Sequence, residues 1–430
     1  MGSNNKNNQI LLFVASLSVL AGSIYLQLQH HDEEALLVDW SYPLPWPILL
    51  ARLGLAYACR SMADILIPAP LLMLDIGLQP QITMLAHICQ KYQIADFLAT
   101  GPKTIEEIAA YTETANVEVV ERLMYAMAAN GITKLDPKNS NKQQSSKRFV
   151  NTALSATLRR DHPNSVAGWI GHNAEDTLPS LIHLDRLLGP KAVEIPWRLQ
   201  NPKYKDLWDF YKHNPHRDEQ FAKAMRGADS VGGIAMSIDV PFRKYKRVVD
   251  VGGSIGHFLH NILAHNVGVE GVLFDRKPVI EQAKILWGKK NSTGGPFADQ
   301  GHRVEFIEGS FFDSVPVARD GDAYCMRMLL HDWSDDESYH ILSNIRRAMN
   351  GTNAVLFIGE VALPEKTYID RMYYPTYQAD IQMLHMFGNA KERTPLMWKE
   401  LLDHSGFDFV RIHRTRSMFH FVQALPRPAS

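Results

Sequence analysis

Three side chains suited to proton transfer stand in separate stretches of the chain: His331 in MRMLLHDWSDDES, Glu360 at the end of FIGE, and Glu392 in Lys391-Glu392-Arg393-Thr394. An imidazole titrates near neutrality, with an ordinary pKa of about 6.5, so His331 suits removal of a proton from a hydroxyl. A carboxylate bonded to one ring nitrogen fixes the tautomer and stabilises the imidazolium, and Glu360 and Glu392 are the candidates for that task. A second group suits ligand binding. In Asp250-Val251-Gly252-Gly253-Ser254-Ile255-Gly256, glycines at a strand-to-helix turn let the backbone approach a ligand at a helix N-terminus. Asp275, closing the next strand pattern EGVLFD, can accept hydrogen bonds from both hydroxyls of a ribose. Together these features read as an adenosine site, with a nicotinamide dinucleotide as the rival ligand. The chain lacks a phosphate-loop lysine pattern, so nucleoside triphosphate chemistry is not indicated.

Such residues need a scaffold, and the pattern from residue 247 onward supplies one. RVVDVGG, a helix from Ile255, EGVLFD, a helix from Pro278, RVEFIEG, DAYCMRM, a helix marked by Ser334 and Glu337 at capping-box spacing, and AVLFIGEVAL follow in turn. This alternation predicts an α/β fold with a parallel, doubly wound sheet, whose strand C-terminal ends form the ligand edge. FDFVRIHRT and MFHFVQAL predict a closing hairpin at the sheet edge. Upstream, residues 35–98 are apolar with helical spacing broken by prolines 43, 45, 47, 68, 70 and 80, a layer that wants a partner surface. Thr104 and Glu107 mark a capped short helix, and a second helix from Val117 ends at Asn130-Gly131. A basic stretch, 138–148, follows as the wing of a winged helix would. DNA binding is disfavoured, because VEVVERLMYAMAAN is apolar on most sides and offers Arg122 as its one base-reading cation. The module is read as structural.

The ordered set DVGGSIG, VLFD, EGSFFDSVP, LLHDWSDDE, GEVALP, DIQMLHMFGNAKERT and HSGF resembles the caffeate and hydroxyindole O-methyltransferase-like family, over about residues 94–425. The resemblance implies a Rossmann-like methyltransferase domain behind a mostly helical, winged-helix-like dimerisation domain, a homodimer, and S-adenosylmethionine as cofactor. Together with the uncharged run near the N-terminus, it divides the chain into 1–30 (signal or anchor), 31–165 (dimerisation), 166–235 (connecting helices that contribute to the substrate pocket) and 236–430 (methyltransferase). By the same resemblance Asp250, Gly252, Gly253, Gly256, Asp275, Ser310, Phe311 and Arg327 hold the cofactor, and His331 is the base between Glu360 and Glu392. Trp169, Asp332, Met383 and Phe387 frame a small hydroxyl-bearing acceptor. Four positions depart from the plant phenolic enzymes: Ser254 for a common third glycine, Ser310 for an adenine-contacting acid, Arg327 for lysine, and Phe387 for a polar asparagine. These departures weaken a catechol assignment and leave the base untouched. Methyl transfer needs in-line placement of the acceptor oxygen about 3 Å from the methyl and removal of its proton. No metal is expected; Asp332, Asp335 and Asp336 suit the first turn of a helix better than an ion.

Composition agrees with a globular enzyme acting on small molecules. The chain has 430 residues, 46% of them hydrophobic and 21% charged, and its 45 basic and 46 acidic residues nearly cancel, which gives no field for nucleic acid. Cys59, Cys89 and Cys325 are too scattered for a disulfide framework or zinc site and are read as reduced packing thiols. Residues 10–26 carry no charge and follow a start with Lys6, which suits a membrane anchor or, ending at Val19-Leu20-Ala21, a cleaved signal. Membrane association, at the endoplasmic reticulum or another organelle, is therefore expected. The side stays open: flanking charge favours translocation, whereas a methyl donor made in the cytosol favours the cytosolic side.

Overall fold

The computed structural model describes residues 43–139, 147–188, 194–230, 232–288, 295–365 and 373–428. The uncharged stretch 10–26 and the wing-like residues 140–146 lie outside them.

The first helices are α1 (Trp46–Leu66) and α2 (Ala69–Lys91). They part at Ile67, whose extended backbone (ψ 129°) is what a following proline imposes. Pro80, expected to break the helix, lies inside α2. An interior proline forfeits a backbone hydrogen bond at a cost of about 3 kcal/mol, so α2 is held by packing further along rather than by propensity there. Leu85 and Cys89 supply that packing. They join Ile94, Leu98 and residues of α3 (Ile105–Tyr111) and α4 (Val117–Ala129) in one core, closed by Phe149 and Leu158. By length and composition α2 could cross a membrane, but its last turns belong to this core. The Thr104–Glu107 capping box forms as its spacing predicts, and α4 stops at Asn130 before a left-handed Gly131. Strands β1 (Thr133–Leu135) and β2 (Phe149–Asn151) then pair antiparallel.

The rest of α1 and α2 is bare. Leu49 is the buried residue of α1, and Arg416 ties the approach to the helix by donating to the carbonyls of Pro43 and Leu44 at 3.3 and 3.2 Å. Beyond that anchor Leu53, Leu55, Ile65, Leu71, Met73, Leu74 and Ile76 are all exposed, Ile65 to 83%.

Short helices, among them Ala167–His172, a π-helical turn at Asn173–Thr177 and Leu207–His213, lead through α5 (Pro215–Ser230) into the second domain. Its strands are β3 (Arg247–Val251), β4 (Glu270–Asp275), β5 (Val304–Glu308), β6 (Asp322–Arg327), β7 (Val355–Val361), β8 (Phe407–His413) and β9 (Phe419–Pro426). They lie in the order β5-β4-β3-β6-β7-β9-β8. The first five are parallel, and β9 pairs antiparallel with both neighbours. The closing hairpin is thus present, with its second strand inside the sheet and its first on the edge. Alternation divides the strands between two cores. Val249, Val251, Tyr324, Met326, Leu356 and Ile358 face one, while Val248, Ala323, Cys325 and Phe357 face the other. Covering helices include α6 (His257–His265), α7 (Lys277–Trp287), α8 (Asp335–Met349), α9 (Tyr374–Phe387) and α10 (Pro395–His404). The helix expected from Ile255 starts at His257, because Gly256 (φ 89°) still belongs to the turn.

Candidate active site

Strand order reverses between β3 and β6, and a doubly wound sheet opens its ligand crevice at such a point. The glycine loop leaves the C-terminal end of β3 and the His331 turn leaves that of β6, so the two sequence patterns become neighbours. Gly252 (φ 69°) permits the meeting: a Cβ there would stand 2.1 Å from the Leu329 side chain and 3.7 Å from the Phe311 ring. Asp250 lies beneath the loop, its Oδ2 2.5 Å from where a Gly253 Cβ would be, and Gly256 is closed in the same way by the Trp287 indole. Ser254 holds a left-handed backbone (φ 53°) that glycine adopts more cheaply. Its N–H donates to Asp275 Oδ2 at 2.9 Å, while Arg276 N–H donates to Oδ1 at 2.7 Å. Burial pushes the Asp275 carboxyl up, against those two donors. Each of its oxygens keeps a second lone pair, so a ribose diol can still be bound.

Ser310 follows β5 and caps its own turn, its hydroxyl accepting from Phe312 N–H at 3.2 Å. Phe311 is packed 6.0 Å from the Trp333 ring and offers an apolar face beside the Gly252 loop. Arg327 ends β6 with its guanidinium 4.9 Å above the Phe258 ring of α6. Residues from the ends of β3, β4, β5 and β6 therefore line one edge, and a bare glycine cradle with a buried carboxylate fits an adenosyl group.

In the turn after β6, His331 Nδ1 is 2.9 Å from Glu392 Oε1 and 3.5 Å from Glu360 Oε2, and all three residues are buried. Glu360 turns its other oxygen to the backbone, accepting from the N–H groups of Leu329 and Leu330 at 3.0 and 2.9 Å. That grip holds a turn begun by Met328 in a left-handed conformation (φ 50°). Asp332 lies on the opposite side of the ring, 3.6 Å from Nε2. Burial alone would lower the imidazole pKa, but the fields of Glu360, Glu392 and Asp332 overcome it and hold His331 well above the ordinary histidine value. Burial, with Glu360 and Glu392, raises Asp332 to about 7. An imidazole whose Nδ1 is engaged by a carboxylate has Nε2 for exchange with an acceptor. The donor atoms of His331, Glu360 and Glu392 lie within 4.8 Å of one another, a spacing that a cation could also use.

Arg393, whose task no local pattern signals, completes the site. It is fully buried and donates to the carbonyls of Leu330 and Trp333 at 2.9 and 3.2 Å and to Asp335 Oδ1 at 2.8 Å. Lys391 also reaches Asp335, and its N–H donates to His331 O at 3.1 Å. Asp335 thus serves ion pairs that strap the Glu392 segment to the histidine turn. Of the expected acceptor residues, Met383 is buried and Phe387 half-buried on α9. Asp380, also on α9, accepts from Glu392 N–H at 2.9 Å. Trp169 comes from the connecting helices, its ring 6.2 Å from that of His172. A cavity of about 290 Å³ between Asp176, Trp197, Phe210 and Arg217 is separate from this edge.

Residues 197–408 match the model of an O-methyltransferase domain, and residues 82–161 that of an O-methyltransferase dimerisation domain. The chain is 31% identical to a phenazine O-methyltransferase of Lysobacter antibioticus, over 80% of this chain and 93% of the relative. It is 28% identical to an 8-amino-8-demethylriboflavin N,N-dimethyltransferase of Streptomyces davaonensis, over 80% and 91%. Human N-acetylserotonin methyltransferase, solved in complex with SAM, shares the fold at TM-score 0.72 and 19% identity, covering 84% of this chain and 98% of that one.

Proposed function

The chain belongs to the O-methyltransferase family and uses S-adenosylmethionine, and from that premise we propose that it methylates a hydroxyl of a small aromatic molecule with His331 as general base. The bound cofactor supplies an electrophilic methyl group. Everything else falls to the chain. Asp275 and the Gly252 loop fix the adenosyl end, and Met383 and Phe387 present an apolar wall to the acceptor. His331 Nε2 takes the hydroxyl proton, while Glu392 on Nδ1 holds the tautomer and stabilises the imidazolium that forms. The observation that carries this reading is the 2.9 Å His331–Glu392 bond on the nitrogen away from Asp332.

A product screen with isotopically labelled methyl donor and mass spectrometry tests it, since fragmentation separates O-methyl from N-methyl products. His331→Ala should lower single-turnover transfer about 10²–10⁴-fold with cofactor affinity preserved. A variant keeping more than about half the rate on an acceptor protonated at the assay pH would remove His331 from the role.

Membrane association through residues 10–26 is the second element of the proposal, supported by an uncharged run of that length after a polar start. Deleting residues 1–30 should move the enzyme from the membrane to the soluble fraction with turnover per folded molecule unchanged. Full-length protein with an intact N-terminus, recovered wholly soluble, would refute the anchor.

A further inference from the structure

A second histidine–carboxylate pair stands among the connecting helices. His172 Nδ1 lies 2.9 Å from Asp176 Oδ2, and both residues are buried. Asp176 gives its other oxygen to Arg217, whose second arm holds Glu175. Glu175 in turn meets His87 at 3.3 Å and Lys91 at 3.2 Å, both on α2 of the dimerisation domain. The π-helical turn Asn173–Thr177 places these adjacent acids within reach of one guanidinium.

The free end of this chain of contacts is His172 Nε2, and it faces the Gln382 amide of α9 at 3.4 Å through Gln382 Nε2. Two nitrogens attract only when one is bare, so Asp176, an acceptor for the Nδ1 proton, selects the tautomer whose Nε2 receives the amide N–H. With that tautomer the amide turns its Oε1 away from the ring. Its Oε1 has no hydrogen-bond donor among the described residues, although Gln382 precedes Met383 on the helix that also bears Phe387 and, through Asp380, the Glu392 backbone. Gln382 is half-buried, so that oxygen stays open to a bound molecule.

We propose that Gln382 reads a second polar group on the acceptor: its Oε1 accepts a hydrogen bond from an O–H or N–H that the acceptor carries besides the methylated hydroxyl, and His172 and Asp176 are positioning residues for that amide. The inference rests on the methyltransferase reading and narrows its substrate class to aromatic molecules with two donors.

The test uses the full-length enzyme, labelled S-adenosylmethionine, and hydroxy-aromatics in matched pairs such as 2,7-dihydroxynaphthalene and 7-methoxy-2-naphthol. Transfer should favour the members with a second donor. Gln382→Leu should raise their KM on the order of tenfold, the size of one lost hydrogen bond, with kcat within about twofold. His172→Ala should move KM in the same direction, and both variants should bind S-adenosylhomocysteine as the parent does by calorimetry. Equal or faster transfer to the members lacking a donor, an unchanged KM in Gln382→Leu, or no transfer to any two-donor member by a parent enzyme that binds S-adenosylhomocysteine would each overturn the proposal. A parent that fails to bind S-adenosylhomocysteine would instead sink the methyltransferase reading.

Discussion

His331 stands among three carboxylates of unequal reach, which makes the pH dependence of its proposed role as base specific. The resting imidazole is held protonated above its usual range, so under the proposed general-base role kcat/KM should climb with pH through a midpoint above 6.5. Glu392→Gln removes a negative neighbour, disfavours the imidazolium, and should move that midpoint down while lowering the plateau. A pH–rate profile with an unshifted midpoint would assign the raised basicity to Glu360 and Asp332. On the binding side Asp275→Ala should weaken cofactor affinity by roughly 1–3 kcal/mol, the size of a lost charge-assisted pair, as calorimetry would register. An unchanged affinity would move the ribose contact elsewhere. The chemistry-bearing types at this scale, His331, Asp275 and the glycines, could be read from the sequence because each sits at a strand end marked by pattern. Arg393 could not, because its partners are carbonyls of a turn some sixty residues away, and carbonyls leave no trace in composition.

Elements of the sheet were equally legible: β4 matches EGVLFD residue for residue, since a strand buried on both faces writes itself as an apolar run. Turns hid more. Ser254 and Met328 carry left-handed backbones that their residue types do not announce, and both stand at the site, where such strain is commonly stored. Neighbouring substitutions in the glycine loop should therefore behave oppositely. Gly252→Ala forces a Cβ into Leu329 and should abolish measurable cofactor binding. Ser254→Gly relieves a positive φ and should keep binding, with melting temperature unchanged or raised by the few degrees that about 1 kcal/mol brings. Calorimetry and thermal melts on the pair decide it; equal losses in both would show that the serine side chain, not the backbone, matters. Pro80 misled for the opposite reason, since the packing of Leu85 and Cys89 outweighs a local propensity.

Across the whole molecule, the bare apolar sides of α1 and α2 continue directly into the segment that matches a dimerisation domain, and single-chain burial leaves them uncovered. Light scattering at micromolar concentration should give twice the chain mass, and a monomer would contradict the assignment. The need for a partner was visible in the sequence as excess apolar length. What was not visible is where α1 is moored, because the Arg416 contact joins segments at opposite ends of the chain. A related crossing of chain order has a consequence for biogenesis. β9, which follows β8 in the chain, lies inside the sheet between β7 and β8, so until residues Phe419–Pro426 leave the ribosome β7 presents an unpaired hydrophobic edge. A stalled or C-terminally clipped chain exposes a ready template for strand addition, and quality control would meet this protein as an aggregation substrate rather than as a slightly shortened enzyme.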